Sequence, residues 1–219
     1  MAAGRKKHSL KGAFITFEGI DGCGKTTQAR RLAKALRKMG VAVRETREPG
    51  GTPIGRALRK ILLDPGNSRL AADAELLLYL ADRTQHLTEL IRPALKAGET
   101  VVCDRFHDAT VAYQGSGRGL DLKRVAGRIT AEIARCAPEL TFWLDVSLEA
   151  AKRRMRKRGG SGADSRLDGE ARAFHERVRR GYAVLHRENP RRIVRIDAAR
   201  GEDEVAAAIW RELEKRYDV

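Results

Sequence analysis

Five short strand-like runs, at residues 13–17, 41–46, 100–104, 140–146 and 192–197, punctuate the chain and are separated by longer stretches. They are rich in β-branched and aromatic residues, the composition of strands covered on both faces. In the longer stretches apolar positions recur every three or four residues, the period of a helix that rests one face on a core. One such helix runs from Lys25 to about Met39, where Gly40 is a natural stop. Leu58, Ile61 and Leu62 mark one face of a second, and residues 76–95 form a longer one. Ser147 is an N-cap for a helix through Arg158, Phe174, Val178, Tyr182 and Leu185 step along another, and Val205, Ile209 and Leu213 give a last helix its buried stripe. Strand and helix alternate throughout, which predicts an α/β fold with a mainly parallel sheet between helices.

The first twelve residues stand apart from this pattern. Arg5, Lys6, Lys7 and Lys11 surround one large apolar residue, Leu10, and predict a flexible basic leader outside the fold. Residues 13–219 then form a single domain, a comfortable size for one core. With 42% hydrophobic and 33% charged residues the chain can bury that core and still solvate its surface. No apolar run approaches the roughly 20 residues of a membrane span, and the basic start lacks a cleavage pattern, so the cytoplasm is the expected compartment. Cys23, Cys103 and Cys136 are odd in number and far apart, which points to neither a disulfide framework nor a zinc site. Forty-four Lys and Arg against 29 Asp and Glu leave a formal charge of +15, which attracts phosphates of any kind without choosing among them.

A specific motif makes that choice. Gly19-Ile20-Asp21-Gly22-Cys23-Gly24-Lys25-Thr26 fits G-x-x-x-x-G-K-[ST], directly between a predicted strand and a predicted helix. Its glycines let successive N–H groups and the helix N-terminus face a phosphate chain, Lys25 adds a cation near the transferred group, and Thr26 offers a hydroxyl to Mg²⁺. An ordinary glycine turn would not explain Lys25 and Thr26 together. Asp104-Arg105 closes the strand at 100–104, and in open α/β sheets ligands collect at the carboxyl ends of strands. Asp104 there is either a direct or water-mediated Mg²⁺ ligand, with Arg105 gripping a second phosphate, or half of a structural ion pair.

The segments Gly19 to Thr27, Thr46-Arg47-Glu48-Pro49-Gly50-Gly51-Thr52, Ala81-Asp82-Arg83-Thr84-Gln85-His86, Asp104-Arg105-Phe106 and Ala112-Tyr113-Gln114-Gly115 occur in the order and spacing of bacterial thymidylate kinases. The chain resembles that family over essentially its whole length after the leader. The resemblance implies a P-loop nucleoside monophosphate kinase fold: a five-stranded parallel sheet flanked by helices, with a mobile lid at about 153–168, which usually dimerises. It implies phosphoryl transfer from ATP·Mg²⁺ to dTMP, giving ADP and dTDP. It makes the loop Gly19, Ile20, Asp21, Gly22, Cys23, Gly24, Lys25 and Thr26 the ATP site, and Thr26 and Asp104 the metal site.

Carried over residue by residue, Asp21 resembles the acid near the deoxyribose 3′-hydroxyl, and Arg105 the arginine that binds the acceptor phosphate. Arg47 belongs to the loop lining the acceptor site, Arg83 to a thymine carbonyl, Thr110 to the base edge, Tyr113 beneath the sugar, and Gln114 to the same acceptor set. Tyr79 stands where the family usually stacks a phenylalanine on thymine; as helix-face aromatics, Tyr79 and Tyr113 have an ordinary core reading as well. Lys152-Arg153-Arg154 and Arg156-Lys157-Arg158, then Gly159-Gly160-Ser161-Gly162 and Ser165-Arg166-Leu167-Asp168, are either the family's lid or a solvated basic face. The P-loop has Gly22 after Asp21 and no arginine, so the resemblance implies a lid-supplied catalytic arginine, Arg158 or Arg166. Two other readings stay open: a deoxynucleoside kinase, and a basic P-loop protein that binds nucleic acid.

Overall fold

Strand β1 (Phe14–Glu18) lies at the centre of a five-stranded sheet ordered β2-β3-β1-β4-β5 in the computed structural model, which describes residues 8–133, 136–157, 166–167 and 169–219. The others are β2 (Val43–Arg47), β3 (Thr100–Asp104), β4 (Leu140–Asp145) and β5 (Ile193–Asp197). All neighbours are parallel, with Phe17 opposite Asp104 on one side and Phe142 on the other. Every residue of β1 and β4 is buried, as expected of strands covered on both faces. Ile15 and Phe17 join a core with Leu32 and Leu36 and with Val205, Ile209 and Leu213, while Phe14 alternates into a second cluster with Leu87, Ile91 and Phe106. Each such fully buried side chain contributes roughly 1.5–3 kcal/mol.

The helices follow from local signals. α1 (Lys25–Lys38) ends in Arg37 and Lys38, cations suited to a helix C-terminus. α2 (Pro53–Leu63) starts at Thr52, whose Oγ1 accepts the Gly55 N–H at 3.0 Å. The expected face of α2 is corrected: Leu62 is buried, but Ile61 is 44% exposed. The single helix expected at 76–95 is α3 (Ala72–His86), a π turn (Leu87–Ile91) and α4 (Arg92–Lys96). Pro93 has no N–H to give, so a regular ladder cannot run through it. α5 (His107–Thr110) widens likewise into a π segment (Val111–Gly117), and α6 (Leu122–Ile133) follows. The Ala150 N–H donates to Ser147 Oγ at 3.2 Å at the start of α7 (Leu148–Lys157). α8 (Arg172–Glu188) and α9 (Glu202–Glu214) complete the fold, and no described helix is long and apolar enough to cross a membrane.

The leader expectation does not hold for residues 8–12. Leu10 is only 5% exposed, and its carbonyl accepts the Thr100 hydroxyl at 2.6 Å. The His8 N–H donates to the Arg216 carbonyl at 2.8 Å, and the Asp218 N–H returns to His8 at 3.1 Å. One apolar residue is enough to dock this stretch because backbone pairing accompanies it. Residues 1–7 lie outside the described residues, as do Arg158, residues 159–165 and Asp168 of the expected lid.

Candidate active site

Between β1 and α1 the glycine-rich loop curls around Lys25. The buried ammonium donates to the Ile20 carbonyl at 2.9 Å and stands 3.8 Å from Asp21 Oδ1. No acidic residue occupies the first turn of α1, so its N–H groups keep their attraction for an anion. Gly22 has φ +81°, and a Cβ there would lie 2.5 Å from the Ala151 carbonyl of α7. Glycine is therefore required, and an arginine at this position would collide with α7. Thr26 donates a short hydrogen bond to Asp104 Oδ2. The other carboxylate oxygen, Asp104 Oδ1, is buried with no hydrogen-bond partner among the described residues. A hydroxyl and an orphaned carboxylate oxygen at the mouth of a phosphate loop suit a hard cation such as Mg²⁺.

Next to the loop opens a cavity of about 250 Å³. Arg105 commands its phosphate-loop end. It has φ +70°, rare for a residue with a Cβ, and its guanidinium donates to Gly19 O at 2.9 Å, Asp21 Oδ1 at 2.6 Å and Tyr113 Oη at 3.1 Å. Burial alone would raise the Asp21 pKa, but Arg105 and Lys25 together hold it well below the ordinary carboxylate range. At the far end Arg83 is 1% exposed, donating through Nε to Glu48 at 2.9 Å and through Nη2 to Thr110 Oγ1 at 2.8 Å. Tyr79 also lines the cavity, and burial, reinforced by Glu75, raises its hydroxyl pKa above the ordinary value.

The loop carrying Glu48 is clasped by α3. His86 Nδ1 meets Glu48 Oε1 at 3.0 Å and its Nε2 meets Thr46 Oγ1 at 2.7 Å, while Asp82 Oδ1 accepts the Gly50 N–H at 3.0 Å. The imidazole lies so close to Gly51 that a Cβ there would overlap it. Glu75, also from α3 and fully buried, accepts from Gln114 at 2.7 Å, from Arg118 at 3.1 Å and from Arg166. These donors hold Glu75 below its ordinary pKa against a burial that would raise it.

Seven of the eight residues expected at the acceptor site line this cavity: Asp21, Tyr79, Arg83, Arg105, Thr110, Tyr113 and Gln114. The eighth, Arg47, does not: it ends β2 exposed, and the wall is made by Glu48 and Pro49. Arg166 is brought to Glu75 and to the Leu62 carbonyl, 3.2 Å away, so in this conformation it braces the acceptor side instead of facing the P-loop. Arg158 lies outside the described residues. Sequence reasoning missed Arg59, which donates to the Pro49 carbonyl at 2.9 Å and lines the cavity. An arginine on the polar face of an amphipathic helix is ordinarily solvated, so no local signal distinguishes it. It also passed over Arg154 as one of a run; this residue spans from the Cys23 carbonyl, at 3.5 Å, to the Arg200 carbonyl after β5, at 3.3 Å.

A family model described as thymidylate kinase matches residues 17–209. The chain is 50% identical over 200 residues to the thymidylate kinase of Syntrophotalea carbinolica, covering 90% of this chain and 93% of that protein. It is 48% identical over 201 residues to the thymidylate kinase of Halothermothrix orenii, with 92% and 96% covered. Among solved structures, the thymidylate kinase of Ehrlichia chaffeensis superposes with a TM-score of 0.74 at 34% identity, over 92% of this chain and 98% of its own.

Proposed function

The chain belongs to the thymidylate kinase family, and from that premise we propose how its residues carry phosphate from ATP to dTMP, yielding ADP and dTDP for dTTP synthesis. The observation that carries the reading is the 2.6 Å pair of Asp21 and Arg105, which joins the P-loop to the 250 Å³ cavity and so sets donor and acceptor end to end. The P-loop amides and Lys25 take the ATP phosphates, with Arg154 on the same side. Arg105 grips the acceptor phosphate, Asp21 takes the sugar 3′-hydroxyl, and Tyr113 lies beneath the deoxyribose. Arg83, with Thr110, donates to a thymine carbonyl against the ring of Tyr79. Thr26 and Asp104 would hold Mg²⁺, which when bound neutralises charge on the transferring phosphates.

Little covalent chemistry is asked of the protein: it aligns two phosphates and supplies positive charge where negative charge develops. The lid arginine expected at Arg158 or Arg166 remains part of this reading, and in this conformation Arg166 acts as a brace. A homodimer is supported by Ile54, Ile61 and Leu77, large apolar side chains of α2 and α3 that are each more than 40% exposed. The cytoplasm, which supplies ATP and nucleoside monophosphates, is the compartment implied. No observation favours the deoxynucleoside kinase or nucleic-acid readings.

The decisive experiment measures ADP release with ATP, Mg²⁺ and each candidate acceptor. Arg83 only donates, so it suits a thymine carbonyl and not the exocyclic amine of cytosine. Discrimination against dCMP should reach roughly 10⁴-fold, whereas dUMP, lacking only a methyl, should lose about 10- to 200-fold. UMP should lose to dUMP because Tyr113 leaves little space for a 2′-hydroxyl. Turnover of dCMP or UMP equal to that of dTMP, or of thymidine in place of dTMP, would sink the assignment.

A further inference from the structure

Glu18, the last residue of β1, has no exposed surface and does not line the cavity. A carboxylate so placed cannot touch either nucleotide, yet its burial is costly unless donors surround it. Burial, with Asp108 adding to it, raises its pKa to about 7 even though several donors oppose the shift. Oε1 accepts the N–H groups of Phe106 at 2.7 Å and Ala109 at 3.3 Å, and Oε2 accepts the Tyr182 hydroxyl at 2.8 Å.

Two of these donors, Phe106 and Tyr182, share one neighbour. Phe106 follows Arg105 in the chain, and Tyr182 Oη in turn accepts Arg105 Nη1 at 3.4 Å. Tyr182 is itself fixed, 1% exposed and stacked on Trp143 with 19° between the rings. Arg105 is thus held from two directions. On the cavity side it meets Asp21 and Tyr113, both assigned to the sugar, whose contacts must rearrange when an acceptor enters. On the far side lie the Gly19 carbonyl and Tyr182, which the acceptor does not reach. The left-handed backbone at Arg105 adds to the requirement, because a residue with a Cβ keeps such a φ only where its surroundings impose it.

We propose that Glu18, acting through the Tyr182 hydroxyl and the Phe106 amide, is a positioning residue that aims Arg105 at the acceptor phosphate; the proposal rests on the reading of Arg105 given above. The test is steady-state kinetics on the full chain for Tyr182→Phe and Glu18→Gln, each alone and combined with Arg105→Lys. Losing one hydrogen bond to a charged group is worth roughly tenfold. Tyr182→Phe should therefore raise the KM for dTMP about five- to tenfold, and Glu18→Gln at least as much, with the KM for ATP within about twofold of wild type. In the Arg105→Lys background either second change should add less than about twofold, since the residue being aimed is already altered.

If Glu18→Gln does not fold, Tyr182→Phe alone decides, because it removes only a hydroxyl. A normal dTMP KM in Tyr182→Phe, while Arg105→Lys raises it tenfold or more, overturns the positioning role and leaves the reading of Arg105 standing. Equal shifts in both KM values also overturn it, since a merely structural role would move both. If Arg105→Lys leaves the dTMP KM unchanged, the acceptor-phosphate reading falls and the proposal falls with it.

Discussion

On the P-loop side of the crevice the groups proposed above to meet phosphate are backbone amides and Lys25, whose ammonium rests on the Ile20 carbonyl of its own loop. On the acceptor side the polar side chains already hold one another: Arg83 by Glu48 and Thr110, Arg105 by Asp21 and Tyr113, Gln114 by Glu75. The difference matches what each side must recognise. A polyphosphate chain is met by a loop whose donors are main-chain groups and therefore need no particular side chains. One base and one sugar must be distinguished from close relatives, and that takes side chains fixed before the ligand arrives.

The sharpest way to break this contrast is Lys25→Ala. Because the lysine opposes charge on the transferring group, kcat should fall on the order of 10³-fold while the fold persists and dTMP still binds in calorimetry. Near-normal kcat would remove Lys25 from the chemistry; lost dTMP binding would mean that the two sides are not separate. Arg166→Ala comes next. As a brace on Glu75 it should lower stability by about 1–3 kcal/mol and weaken dTMP, with Arg118 and Gln114 keeping Glu75 partly satisfied. Its kcat should fall far less than that of Lys25→Ala. A 10³-fold loss of kcat at unchanged melting temperature would instead make Arg166 the lid's catalytic arginine.

A third effect is read in pH. Burial, with Glu48 adding to it, raises Asp82 from 3.8 to about 6. The folded protein therefore binds this proton more tightly than the unfolded chain, and stability falls as pH rises through that interval. Asp82→Asn removes the titration and keeps an oxygen for the Gly50 N–H. The stability of the variant relative to wild type should rise by on the order of 2–3 kcal/mol between about pH 4 and pH 7. A pH-independent difference in melting temperature would show that Asp82 is not part of the clasp in the form described.

The sheet was legible because strands covered on both faces must be apolar nearly throughout, as residues 14–18 and 140–145 are. The phosphate loop was legible for a similar reason, since its chemistry depends on local spacing. What escaped depends on partners distant in sequence. Glu75 gathers donors from residues 114, 118 and 166, and Arg59 lines the cavity bonded to the Pro49 carbonyl ten residues earlier. Arg47 sits within a highly specific motif, yet its neighbours Glu48 and Pro49 form the wall. Leu10 lacked periodic companions and so read as leader, although its carbonyl accepts the Thr100 hydroxyl of β3. Ile61 fits the apolar period of α2 but turns outward, which no count within a single chain can foresee.

Gly22 and the Ala151 carbonyl meet with no room for even a methyl group between them. The phosphate loop therefore acts as a mechanical stop for α7, the helix that leads into the segment carrying Arg158. A Cβ at position 22 would lie only 2.5 Å from the Ala151 carbonyl, so α7 cannot press further into the loop. An arginine transplanted to position 22 would occupy the seat against which α7 rests.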